Sequence, residues 1–401
     1  MKQRDRIKTE GTITIRVMCA LLFLLFTFCW LYFFQGDMLA VAQHGLSGGK
    51  THYDVTIGAL IITVVLFVLH LLVYAFTRLS RASHALTYLP SFLLLAFVST
   101  VSYPFRWDAW LWAGPVVLIL WGLTAWLARK LPPLVGIGRD NGLFSRCAWI
   151  NYLLMAVMMM IVTGLSNTNG VAHHTAHAES ALMRGDTDEA LQAGEKSLET
   201  DENLTMLRVL ALSQRGELGD RLFEYALAGS STDLLPLRES HSRLMLMADT
   251  IVWDFFGLRP DSIRQYGAQV LNVSQYLDSL ACDTTHILTA DSSATVPLVN
   301  KAALRDYRLA GQLIDRQIDA FVLSLPDYYA LDADSLPRHY REALVLYQQR
   351  RDTLFAYSDS LMLLRWHDFC RYDSLYPQKS ERRIRSEEDF RGTYWYYFFE
   401  K

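Results

Sequence analysis

Five stretches without a single charged residue, each close to the length a helix needs to cross a lipid bilayer, constrain this chain more than any other feature. They run Val17 to Phe34, Val55 to Phe76, Ala85 to Phe105, Ala109 to Ala128 and Cys147 to Leu165. A hydrocarbon core of about 30 Å takes about 20 residues of α-helix to cross. Lipid offers the backbone no hydrogen-bond partners, so such runs cross as helices. Only Arg106, Trp107 and Asp108 separate the third and fourth stretches, which demands a tight antiparallel hairpin.

Charge divides the chain at the same place. Up to Ser166 there are 13 Lys and Arg against 6 Asp and Glu; beyond it, 25 against 35. The first part carries net +7 and the second net -10, so residues 1–166 are expected to be a five-span membrane domain and 167–401 a water-exposed one. This partition excludes a single globular core and a disordered chain, and five cysteines in 401 residues exclude a disulfide-dense scaffold.

Lys and Arg in short loops set the orientation of a membrane protein. The N-terminal tail carries Lys2, Arg4, Arg6, Lys8 and Arg16, the second loop Arg78 and Arg81, and the fourth Arg129, Lys130, Arg139 and Arg146, whereas the first and third carry only Lys50 and Arg106. The N-terminus is therefore expected in the cytoplasm and everything after Leu165 outside. The first span also has the outline of a signal peptide, with Ala40-Val41-Ala42 as a small-x-small site; cleavage would leave the second part outside all the same.

No span holds an Asp, Glu, Lys or Arg, the residues that line ion paths, so transport is not expected. His70 and Asn151 read as interhelical glue. The GIGRDNG loop, Gly136 to Gly142, lacks the strand and helix of a phosphate cradle and reads as a connection.

Beyond Ser166 the apolar residues recur at helical spacing, with almost no alternation, so the expected fold is all-α. GDTDEA, Gly185 to Ala190, resembles the turn and second-helix start of a tetratricopeptide repeat, and Gly219-Asp220 follows 34 residues later, the period of that family. The resemblance places first helices at Glu179 to Met183 and Leu204 to Leu212 and second helices at Ala190 to Leu198 and Leu222 to Leu227. It covers residues 173–228 and departs from the pattern at Gly194, Glu202 and Glu224; unrelated helical hairpins are the other reading. Another pair is expected at Leu309 to Leu313 and Gln317 to Leu325, turning at Asp315 and stopped by Pro326. Ser335, before Leu336-Pro337, is the expected helix cap.

The segments LPRHYREALVLY, Leu336 to Tyr347, and GTYWYYF, Gly392 to Phe398, resemble the end of an uncharacterised Bacteroidetes family of multi-span inner-membrane proteins with an exported helical-repeat domain. The resemblance implies that layout and no activity.

Few residues suggest chemistry. His173 and His177 lie four apart and, with Glu179, are weak candidates for a metal site; a polar turn just after the fifth span is the reading preferred, and no metal is expected. Asp37, just beyond the first span, resembles the first-loop acid of lipid-linked sugar transferases. Cys282 and Cys370 are the two cysteines of the outer part, and their pairing is open. Tyr394 to Phe399 are six consecutive aromatics that seal the last helix pair, rest at lipid headgroups, or bind a partner; Tyr394, Trp395, Tyr396 and Tyr397 are the interaction candidates. No Cys-x-x-Cys pair, P-loop or Ser-His-Asp order occurs, so no cofactor is expected, and the basic run Lys379 to Arg385 is interleaved with glutamate, which argues against nucleic acid. The expectation is a five-span membrane domain followed by a tetratricopeptide-like solenoid, working as an interaction or scaffold module in the cell envelope; the alternative is an envelope transferase using Asp37.

Overall fold

A computed structural model describes residues 2–79, 81–100, 108–130, 145–236, 244–257, 300–331, 335–351 and 357–400. All regular structure among them is helical, with no strand. The chain forms two compact units, Met1–Asn169 and Gly170–Lys401.

In the first unit, α1 (Lys2–Cys29) runs on as a π-helical turn, Trp30–Phe34, and is followed by α2 (Gly36–Ser47) and α3 (Val55–Thr77). A 3-10 segment, Arg81–Tyr88, leads into α4 (Leu89–Ser99), and α5 (Asp108–Lys130) and α6 (Arg146–Leu165) complete the unit. Capping fixes two of these starts: Asp54 accepts the N–H of Ile57 at 2.8 Å to begin α3, and Ser145 accepts that of Ala148 at 3.2 Å to begin α6.

Three helices are long and apolar enough to cross a membrane, Ile13–Phe34, Val55–Thr77 and Arg146–Leu165, which marks the chain as a membrane protein. Their outward faces carry apolar side chains such as Leu60, Val64 and Phe76, the last 82% exposed, as contact with lipid requires. The third and fourth expected spans are shorter apolar helices, Ser83–Ser99 and Gly114–Leu127. The third differs because its first turns are 3-10, bent at Ser83 (φ -114°), with Pro90 in the first turn of α4 rather than kinking a longer helix. The GIGRDNG loop and Arg106 lie outside the described residues.

Polar side chains bind these helices together. Asn151 of α6 accepts the N–H of Ala85 at 2.7 Å and donates to the carbonyl of Cys147 at 2.8 Å, supplying an acceptor that the 3-10 segment lacks. His70 stacks on Tyr88 with centroids 3.5 Å apart and meets Thr87 Oγ1 at 3.2 Å. Phe23 and Phe92 meet edge to face beside Tyr88, at the centre of the unit's core.

The second unit begins with a pair of hairpins, α7 (Gly170–Met183) with α8 (Thr187–Gln192), and α9 (Glu202–Arg215) with α10 (Leu218–Arg221). Asp186 caps α8 through the N–H of Glu189 at 2.9 Å, as the sequence set it. The second helices are much shorter than a tetratricopeptide repeat requires. α8 stops at Gln192 instead of reaching Leu198, because Gly194 takes a left-handed conformation (φ 64°). Leu222–Glu224 is a single 3-10 turn before the chain extends at Tyr225. Gly216 (φ 70°), not Gly219, turns the chain after α9, so the 34-residue spacing does not join equivalent turns.

Then come α11 (Asp249–Phe256), α12 (Lys301–Ile314) and α13 (Ile318–Ser324), with Asp315 and Pro326 ending α12 and α13 where the sequence placed the turn and the stop. The last helices are α14 (Arg338–Arg350), α15 (Ser360–Leu375), α16 (Lys379–Phe390) and α17 (Tyr394–Glu400). α14 is central, packing against α10, α13, α15 and α17. Its start is not capped by Ser335: Pro337 stands at the N-cap, and Asp220 accepts the N–H of Arg338 at 2.7 Å from across the fold.

Candidate functional site

The sequence-derived site residues disperse. Asp37 sits half-buried in the first turn of α2. His173 and His177 share α7, but His177 meets Glu189 at 3.4 Å, and Glu179 is turned away into the core. Glu179 Oε1 instead accepts the backbone N–H groups of Met245, Leu246 and Met247, each at 2.8 Å, and its Oε2 has no partner. Burial pushes its carboxyl up to about 6 against the pull of those three donors. Among the described residues no group of three or more His, Cys, Asp or Glu is placed to hold a metal. The carboxylate considered beside the two histidines, that of Glu179, clasps a backbone segment instead. Cys370 is exposed on α15 and Cys282 lies outside the described residues.

Of the three readings of the terminal aromatics, sealing of the helical unit fits best: Tyr394 and Trp395 are 0% and 1% exposed in the domain's own core, which takes them out of the interaction candidates, and Tyr396 and Tyr397 are half-buried. Glu342 draws them in: its Oε2 accepts the N–H of Tyr394 at 2.7 Å and its carbonyl accepts the Trp395 indole N–H at 2.7 Å. The same carboxylate meets His339 Nδ1 at 2.9 Å and Arg338 Nε at 3.0 Å, while His339 Nε2 accepts the N–H of Phe223 at 3.3 Å. The latter bond leaves the proton on Nδ1, directed at Glu342. LPRHYREALVLY and GTYWYYF therefore fold as one buried polar knot.

The open chemistry lies elsewhere in this unit. A cleft of about 610 Å³ is lined by His174, Gly194, Lys196, Ser197, Arg221 and Tyr225. It shares Glu195 and Lys196 with a second cleft of about 670 Å³ that continues to Glu224, to Ile384 and Glu387 on α16, and to Arg391 just after it. Together they form a trough from α8 to α16. Local sequence builds it: Gly194 ends α8 early, and a Cβ at that position would stand 2.7 Å from the His174 ring. Arg221 is held between Glu217 at 3.0 Å and Glu224 at 2.9 Å and donates to the Tyr225 hydroxyl at 3.1 Å.

Beneath this trough Arg208 is 1% exposed. It donates to the carbonyls of Gly194 at 2.9 Å, Ala226 at 3.1 Å and Ala193 at 3.2 Å and lies 3.4 Å from Thr200 Oγ1, all neutral acceptors. Its guanidinium faces the Tyr225 ring 5.3 Å from the centroid, and its Nε has no partner. Burial lowers its pKa to about 10, with Tyr225 and Asp201 opposing. Nothing in the sequence marked Arg208, because an arginine on a mid-helix position reads as a surface residue.

Fold and site together define an all-α membrane protein with a separate helical unit that carries a polar trough. Residues 297–401 match a family described as a family of unknown function (DUF6057). Both segments of the polar knot, residues 336–347 and 392–398, lie within that match. No curated protein and no solved structure matches the chain.

Proposed function

We propose that the protein is a multi-pass protein of the bacterial inner membrane, with its N-terminus in the cytoplasm, whose second unit stands in the periplasm as a protein-interaction or scaffold module. The observation that carries this reading is the trough. It runs over residues of several helices and is lined by charged side chains, of which Asp188, Arg221 and Glu224 are paired.

The outward placement does not depend on the number of spans. The three membrane-length helices alone, or all five apolar stretches, are odd in number, so either count carries the chain from a basic N-terminal side to the opposite face. The shorter pair, Ser83–Ser99 and Gly114–Leu127, adds two crossings or none, so it leaves the parity unchanged.

A photo-crosslinking residue placed at Gln192 in the native membrane tests the reading. The expected result is a discrete cross-linked protein absent from the same residue at Leu323, which is 78% exposed on α13. Equal products, or none, from both positions would contradict it.

A further inference from the structure

A charge taken out of water is stable only with a counter-charge or a full set of hydrogen bonds. Arg208 has no hydrogen-bonded counter-charge and an incomplete set of hydrogen bonds: its N–H groups meet only neutral acceptors, its Nε meets nothing, and the carboxylate of Asp201 acts on it only through space. It is one residue from open space, for the carbonyl it holds at 2.9 Å belongs to Gly194, and Gly194 and Tyr225, both touching Arg208, line the cleft. We propose that this cleft is an oxyanion site, taking a carboxylate or phosphate group of the bound partner, with Arg208 as the buried positive charge beneath it and Lys196 at its rim.

The surroundings support this assignment. Of the carboxylates lining the cleft, Asp188 is tied to Arg215, and Glu195 stands exposed at the rim. His174 also lines the cleft, and its pKa is lowered chiefly by burial, with Arg208 and the neighbouring histidines adding to the effect. The Tyr225 hydroxyl, which accepts from Arg221, keeps its own proton to donate, whereas that of Ser197 is given to the Glu199 carbonyl. Gly194 keeps the approach to Arg208 short, because any side chain there would collide with His174.

This inference rests on the reading of the unit as a binding module and names the chemistry it binds. The test uses the full chain in neutral detergent, titrated with sodium phosphate or sodium acetate against sodium chloride at matched ionic strength. Phosphate or acetate is expected to raise the unfolding midpoint saturably, by about 3 °C once the anion exceeds its dissociation constant tenfold. The anion that acts identifies the source. Lys196→Glu should abolish the rise, and Lys301→Glu on α12 should leave it intact. Arg208→Met should abolish it as well; where that variant fails to fold, the Lys196→Glu arm decides. No rise above chloride, or an undiminished rise in Lys196→Glu, would overturn the proposal. Cross-linking from Gln192 that persists without an anion effect leaves the binding module standing and removes only this site; an anion effect without a cross-linked partner does the reverse.

Discussion

Glu342 and Tyr394, 52 positions apart, are joined by a 2.7 Å hydrogen bond from the Tyr394 N–H to a carboxylate that is 1% exposed. This bond makes the aromatic C-terminus an internal element of the helical unit. Because the Glu342 carboxylate also receives His339 and Arg338, its loss strands several buried donors at once.

Glu342→Ala is therefore expected to destabilise the helical unit by about 3 kcal/mol, and Glu342→Gln by less, since the amide retains one acceptor. Thermal unfolding followed by circular dichroism reads the difference. A loss below that of an ordinary surface substitution in both variants would show that the knot carries no stability.

Gly219 lies where α10 meets the start of α14. A Cβ there would stand 2.6 Å from Pro337 Cβ and 2.9 Å from its Cγ. Gly219→Ala is expected to cost about 2 kcal/mol by forcing the two apart. Gly122→Ala on α5, with nothing within 4 Å, should cost nothing. Equal midpoints for the two variants would contradict the packing.

Glu179 gives the second unit a pH dependence. Its carboxyl is raised from 4.5 to about 6 by burial, so between those values the folded chain holds a proton that the unfolded chain has released. The associated stability is complete below pH 4.5 and declines as pH rises through about 6, by about 2 kcal/mol in all. Glu179→Gln should flatten the profile over that window in a denaturation series from pH 4 to pH 7. An unchanged slope would remove the assignment.

What could be read from the sequence depended on range. α3 and α6 were legible because an uncharged run of that length has one spanning form, and the start of α8 and the end of α12 because Asp186 and Asp315 act within a few residues. The caps and ties between distant segments left no local trace: Asp220 to Arg338, Glu342 to Tyr394, and Glu179 to Met245. Gly219 was misread for the same reason, since its role is a close approach to Pro337 and not a turn. The 3-10 start before α4 was hidden because tertiary contacts such as Asn151 to Ala85 decide it. Of the trough, only Gly194 and Glu224 stood out, as departures from the repeat pattern.

In the membrane unit, Asn151→Leu removes the acceptor of the Ala85 N–H in an environment without water. A loss of about 1 kcal/mol is expected, read as a lower midpoint in detergent or faster proteolysis. No change in either would show that the 3-10 segment is held by packing alone.

Reporter fusions test most directly the central claim, that the helical unit is carried across the membrane. Alkaline phosphatase, active only outside the cytoplasm, and a fluorescent protein that matures only inside it are fused after Lys401 and after Arg139. The account predicts phosphatase activity without fluorescence at Lys401 and the opposite at Arg139. A fusion at Arg106 adds the span count, outside for five spans and inside for three. Fluorescence without phosphatase activity at Lys401 would place the helical unit in the cytoplasm and contradict the account.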